Sequence, residues 1–145
     1  MFANHKSPDN LSMDLKYQNE VVKFECDLTK FKEIELESYR WTFEDINDIR
    51  NFEPIYINDL KRKQDNCLGF ALSFFTKKEA GIKRLKELTS NREKLFKKLG
   101  THISSGTLKK VDGIAGEPDY INHFDFFVYQ NVELKHKFTV SESIA

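Results

Sequence analysis

Along Ile34-Glu35-Leu36-Glu37-Ser38-Tyr39-Arg40-Trp41 the residues alternate in character. That period of two predicts a strand with Ile34, Leu36, Ser38 and Arg40 on one face and Tyr39 and Trp41 on the other. Upstream, Glu20 to Cys26 is β-prone while Leu28, Phe31 and Ile34 recur at helical spacing. A strand followed by a short helix or a second strand fits that stretch. Thr42 precedes Ile46, Ile49 and Phe52, spaced three apart and stopped by Pro54, which predicts a short capped helix. Ile55-Tyr56-Ile57 reads as a brief strand and Asn58 to Asn66 as a polar loop.

Cys67-Leu68-Gly69-Phe70-Ala71-Leu72-Ser73-Phe74-Phe75 is a nearly unbroken apolar run, the pattern of a strand covered on both faces and placed centrally in a sheet. Thr76-Lys77-Lys78-Glu79 has the spacing of a capping box, so a helix is expected to start under the Thr76 hydroxyl, with Ala80, Ile82, Leu85 and Leu88 on its apolar side. Ser90-Asn91-Arg92-Glu93 repeats the box before Leu95, Phe96 and Leu99, and Gly100 follows where a left-handed cap is wanted. Thr101 to Leu108 predicts a strand, Asp112-Gly113 a turn, and Ile114 to Asn122 a loop. His123 to Tyr129 predicts another strand and Phe138 to Val140 a short last one, with a loose tail beyond. Together these elements predict one α+β domain over residues 19–145, with a twisted, mostly antiparallel sheet and about three helices near Phe43, Lys77 and Asn91. Residues 1–18 are polar, contain Pro8, and are expected to form a mobile N-terminal arm.

Composition adds limits. With 145 residues, 39% apolar and 13 Phe, the chain is long and apolar enough for one continuous core. No apolar run reaches the roughly 20 residues of a membrane span, and the first residues do not resemble a secretory signal, so a cytoplasmic protein without a membrane partner is expected. Cys26 and Cys67 stand far apart with no second Cys near either, which predicts free thiols. The net charge is zero but uneven: residues 1–60 carry seven Lys/Arg against thirteen Asp/Glu, and residues 61–98 carry twelve against four. Lys61, Arg62, Lys63, Lys94, Lys97 and Lys98 in that basic segment form an electrostatic footprint suited to an acidic protein or to nucleic acid. The same charges also suit the solvated face of a Lys-rich helix.

Phosphate-loop, dinucleotide, zinc-helix and serine-elbow motifs are all absent. His102, His123 and Asp125 are weighed as metal ligands and set aside, because two ligands on one strand arise often by chance, and no metal is expected. Trp41, Phe43, Phe124, Phe126, Phe127 and Tyr129 are read as core rather than as a base-stacking platform.

Tyr39-Arg40-Trp41 on one strand, Gly69 to Ser73 on a second that leads into a helix, and a late strand at His123 give an order that resembles ADP-ribosyltransferase-like domains. The late Glu-x-Glu or Gln-x-Glu of that family is missing, and His123-Phe124-Asp125 stands loosely in its place. The resemblance implies a small toxin- or modifier-like transferase using NAD as substrate. On it Arg40 and Ser73 would hold the dinucleotide, and Asp125 or Glu133, with His123 beside them, would stabilise the cationic ribose. The alternative is a non-catalytic binding module that grips an acidic protein or nucleic acid through Lys61 to Lys98. A single cleft holding Arg40, Ser73, His123 and Asp125 would favour the transferase.

Overall fold

Six strands are hydrogen-bonded in the order β4-β5-β2-β1-β3-β6, and every neighbouring pair is antiparallel. They are β1 (Leu36–Thr42), β2 (Leu72–Phe75), β3 (His102–Leu108), β4 (Gly113–Ala115), β5 (His123–Val128) and β6 (Phe138–Ser143). Four α-helical segments accompany them: α1 (Gln18–Lys23), α2 (Ile55–Asn58), α3 (Lys78–Thr89) and α4 (Phe96–Leu99). The structure is a computed structural model and describes residues 14–145. The α+β class and the antiparallel sheet are those the residue pattern predicts.

Alternation sets the two faces of the sheet. Leu72 and Phe74 of β2 pair with Phe126 and Phe124 of β5, and these rings meet Leu108, Leu134 and Phe138 in one buried cluster. Ser38, Arg40 and Thr42 of β1 share this inner face, where Ser38, Thr42 and Ser104 are buried and the Thr42 and Ser104 hydroxyls bond each other. The opposite face is covered by α3. Trp41 donates its indole N–H to the Gly81 carbonyl at 2.8 Å and its ring lies 5.4 Å from Phe75. Gly81 permits this contact, since a Cβ there would stand 3.1 Å from Ile103 and 3.2 Å from Phe75. A second cluster, with Val21, Leu28, Tyr56, Phe70, Phe127 and Tyr129, gathers around the N-terminal segment.

Several local expectations are corrected. Val21 and its neighbours form α1 rather than a strand, and Leu15 is buried with Lys16 donating its backbone N–H to Val128, so residues 14–18 belong to the fold. The rest of the expected arm, residues 1–13, lies outside the described residues. The helix expected from Phe43 shrinks to a 3-10 turn, Ile49–Phe52, capped by Asp48 rather than Thr42, which ends β1. Ile55-Tyr56-Ile57 is helical, Cys67–Phe70 is a 3-10 turn ahead of the strand, and Gly113–Ala115 is a strand rather than a loop. The tail after Val140 is held: β6 runs to Ser143, Lys78 pairs with Glu142, and the amides of Ile144 and Ala145 bond the Thr101 carbonyl.

Neither capping box forms. Helix α3 begins one residue late with Lys77 at its N-cap position and no side-chain cap, while the Thr76 amide donates to the Asn122 carbonyl. The segment after Ser90 is a 3-10 turn, Glu93–Leu95, running into α4, also without a side-chain cap. Because only the Thr76 backbone is engaged there, Thr76→Ala is expected to change stability by less than about 0.5 kcal/mol. A loss of about 1 kcal/mol in denaturant melts, the worth of a working cap, would contradict that placement. Gly100 does close α4, with φ +128 and its N–H on the Phe96 carbonyl.

The cysteines are not free. Cys26 and Cys67 form a disulfide that ties the segment after α1 to the turn before β2. Two residues 41 positions apart in sequence are brought together because α1, Leu28 and Phe70 bury the same cluster. A second contact invisible to short-range pattern lies at the β3–β4 turn. Asp112 is buried, accepts the Lys109 amide at 2.7 Å, and pairs its other carboxylate oxygen with Lys137 at 2.7 Å.

Candidate functional site

A cleft opens where two central strands part. β1 and β2 share one ladder pair, Tyr39 with Phe75, and then separate. Arg40 fills the gap from the inner face, its Nε donating to the Asn51 carbonyl at 2.7 Å and Nη1 to the Ser73 carbonyl at 2.9 Å. These bonds replace the ladder partners that a parting strand leaves unsatisfied. The floor is fixed from below as well, because Asn51 accepts the Phe43 amide at 2.7 Å and donates to the Asp45 carbonyl at 2.8 Å. With Asp48 capping Ile49–Phe52, those bonds hold the loop that presents the Asn51 carbonyl to Arg40.

The cleft has a volume of about 150 Å³. Its floor is Arg40, Asn51 and Ser73, and Phe43, Pro54, Ile55, Leu68, Ala71 and Leu99 give it apolar walls. Arg50, Lys98 and Glu53 supply the remaining charge. Arg50 is already neutralised: its guanidinium pairs with Asp48 at 2.7 Å and lies 3.7 Å from the centre of the Phe43 ring. That bond holds the Asp48 carboxyl below its usual range and Arg50 above its own.

Arg40 is different. Its guanidinium sits over the Phe74 and Phe52 rings, at 5.7 and 6.0 Å, and forms no ion pair among the described residues. Burial lowers its pKa to about 10. A guanidinium has more N–H donors than its two backbone bonds use. The site therefore presents a half-buried cation that has no ion-pair partner among the described residues.

Arg40 and Ser73 line the cleft together, whereas His123, Asp125 and Glu133 do not line it. Cross-strand register explains why. Ser73 pairs with Asp125 and Phe75 with His123, so their side chains share the face opposite Arg40, and Ser73 meets Arg40 through its carbonyl. On that face His123 sits 3.5 Å from Asp119 and 4.0 Å from Asp125, with its ring edge-on to Phe75. Burial raises the Asp125 pKa, His123 pulls it back, and Asp119 raises it further. Glu133 faces a separate groove with Tyr17, Ile46 and Phe52, and pairs with Lys135 and His136. The single cleft that would favour a transferase is thus not assembled.

His102 lies on β3, separated from β5 by β1 and β2, and no group of three His, Cys, Asp or Glu suited to a metal forms among the described residues. Phe124, Phe126, Phe127 and Tyr129 are buried, in keeping with their reading as core. Lys61, Arg62, Lys63, Lys94, Lys97 and Lys98 are exposed, and of these Lys98 reaches the cleft. No helix among the described residues is long and apolar enough to cross a membrane. Comparison with protein-family models, curated proteins and solved structures finds no match. Sequence reasoning picked Arg40 and Ser73 but missed Asn51, Asp48 and the strand separation. The short polar run Asp45-Ile46-Asn47-Asp48, rich in loop-capping residues, is the signal that could have revealed the clamp.

Proposed function

We propose that this protein is a binding module for an acidic partner protein, and that Arg40 receives one carboxylate of that partner at the floor of the β1–β2 cleft. The observation that carries this reading is the half-buried Arg40 guanidinium, bonded to two carbonyls and without an ion-pair partner among the described residues. An arriving carboxylate would supply the missing charge with a charge-assisted bond. Lys98 at the cleft and the exposed Lys61-Arg62-Lys63 loop add longer-range attraction, which sets encounter rate more than final affinity.

The rival reading, an NAD-using transferase of the ADP-ribosyltransferase type, has less support. A space of about 150 Å³ is small beside the roughly 300–1,000 Å³ of ordinary small-molecule sites. Its acid, Asp125 or Glu133, would also act from outside the cleft that holds Arg40. Location enters the proposal too. Disulfides persist in oxidising compartments and are rare where glutathione keeps thiols reduced, so the Cys26–Cys67 bond favours an oxidising setting over the cytoplasm.

Calorimetry of the full chain against an acidic peptide and against NAD separates the two functions. The peptide is expected to bind with an affinity that falls as salt rises, and Arg40→Met should weaken it about ten-fold or more, the worth of one charge-assisted contact. Lys98→Glu, an exposed change that leaves the floor intact, should weaken it in the same direction. NAD binding with nicotinamide release would replace this reading with the transferase. An oligonucleotide that outcompetes the peptide would assign the basic segment to nucleic acid.

A further inference from the structure

Resting on the reading of Arg40 as a carboxylate receptor, we infer that the carboxylate is the free C-terminus of a polypeptide whose last residue is apolar. The cleft combines two chemistries in one small space. The half-buried Arg40 cation lines the cleft with apolar side chains, of which Ile55 and Leu68 are still 39% and 46% exposed. Exposed apolar side chains at a cleft mouth gain from being covered, whereas an inorganic anion or a sugar phosphate would leave them wet.

Size decides between carboxylates. At about 150 Å³ the cleft is small. A C-terminal residue carries its carboxylate and its side chain on one Cα, so both enter together: the acid reaches Arg40 and the side chain meets Leu68, Ala71 and Leu99. An internal Asp or Glu brings its carboxylate without an apolar group on the same residue. Covering Ile55 and Leu68 would then require a neighbouring residue and its peptide groups to enter as well. Buried peptide groups without partners cost free energy. Asn58 at the mouth can bond the one peptide group that a terminal residue carries in with it.

The net charge of the lining agrees. Arg40 and Lys98 line the cleft with one carboxylate, Glu53, once Arg50 is discounted by its pairing with Asp48. One unmatched positive charge remains, which suits a monoanionic terminus better than a phosphate carrying nearly two.

Fluorescence anisotropy on the full chain with three labelled peptides tests this. The first ends in Leu as the free acid, the second is the same peptide as the C-terminal amide, and the third is the free acid ending in Ser. The Leu acid is expected to bind at least about ten-fold tighter than the amide and several-fold tighter than the Ser acid. Leu68→Ser, at an exposed position, should remove the preference for Leu over Ser while leaving the preference for acid over amide. Equal binding of acid and amide would overturn the inference and leave Arg40 reading internal acidic side chains. Failure of all three peptides to bind would overturn the inference together with the reading beneath it.

Discussion

Lys137→Met is expected to destabilise the protein by about 3–5 kcal/mol, the cost of leaving a buried carboxylate without its counter-ion. Asp112 is 1% exposed, and Lys137 is its only ion-pair partner among the described residues. The Asp112 oxygen facing Lys137 gains nothing else: the other oxygen holds the Lys109 amide, and the Asp112 carbonyl accepts the Tyr129 amide. The pair therefore joins the β3–β4 turn to the start of β6. Adding Asp112→Asn to Lys137→Met should recover much of the loss, because the amide still accepts the Lys109 N–H and carries no buried charge. Denaturant unfolding of the two variants checks this. A single variant within about 0.5 kcal/mol of the parent would contradict it.

The second large effect concerns the disulfide. Closing a loop of 41 residues restrains the unfolded chain by about 4 kcal/mol in the chain-entropy account, so Cys26→Ser with Cys67→Ser should lose about that much. The loss should fall on the cluster containing Val21, Leu28, Tyr56 and Phe70, so hydrogen exchange is expected to accelerate in α1 before it does in β1 and β3. It should also reach the cleft, because Leu68 and Ala71 follow Cys67 directly and form one of its walls. Thiol titration of the denatured, unreduced protein is expected to find no free thiol. Two free thiols, with unfolding midpoints that do not change on adding reductant, would remove the bond.

Periodicity made the sheet legible because it reports which side chains share a face. The alternation from Ile34 to Trp41 assigned Ser38 and Arg40 to one side and Tyr39 and Trp41 to the other, and the register of β1 against β3 agrees. What failed was chemistry decided at long range. Thr76 and Glu79 have the spacing of a cap, yet Asn122 captures the Thr76 amide and the helix starts later. Ile46, Ile49 and Phe52 have helical spacing, but Asn51 satisfies Phe43 and Asp45 through its side chain and leaves one short turn. Such side-chain bonds compete with helix formation and are invisible to hydrophobic spacing.

The site followed the same division. Arg40 and Ser73 are legible from their strands, and the Ser73 carbonyl joins them by accepting the Arg40 Nη1–H. His123 and Asp125 were grouped with Arg40 by chain order, but a period of two places them on the opposite face. Only the pairing Ser73 with Asp125 reveals this, and pairing is a property of the fold. The cysteines illustrate the point again: 41 intervening positions hide a contact that one hydrophobic cluster enforces.

The most direct test of the account is to watch the Arg40 guanidinium itself. In NMR spectra of the isotope-labelled chain, adding an acidic peptide is expected to shift the Arg40 Nε–H resonance and the backbone amides around Ser73 and Lys98, while His123 and Asp125 stay in place. Saturating peptide that moves His123 and Asp125 and leaves Arg40 unchanged would contradict it.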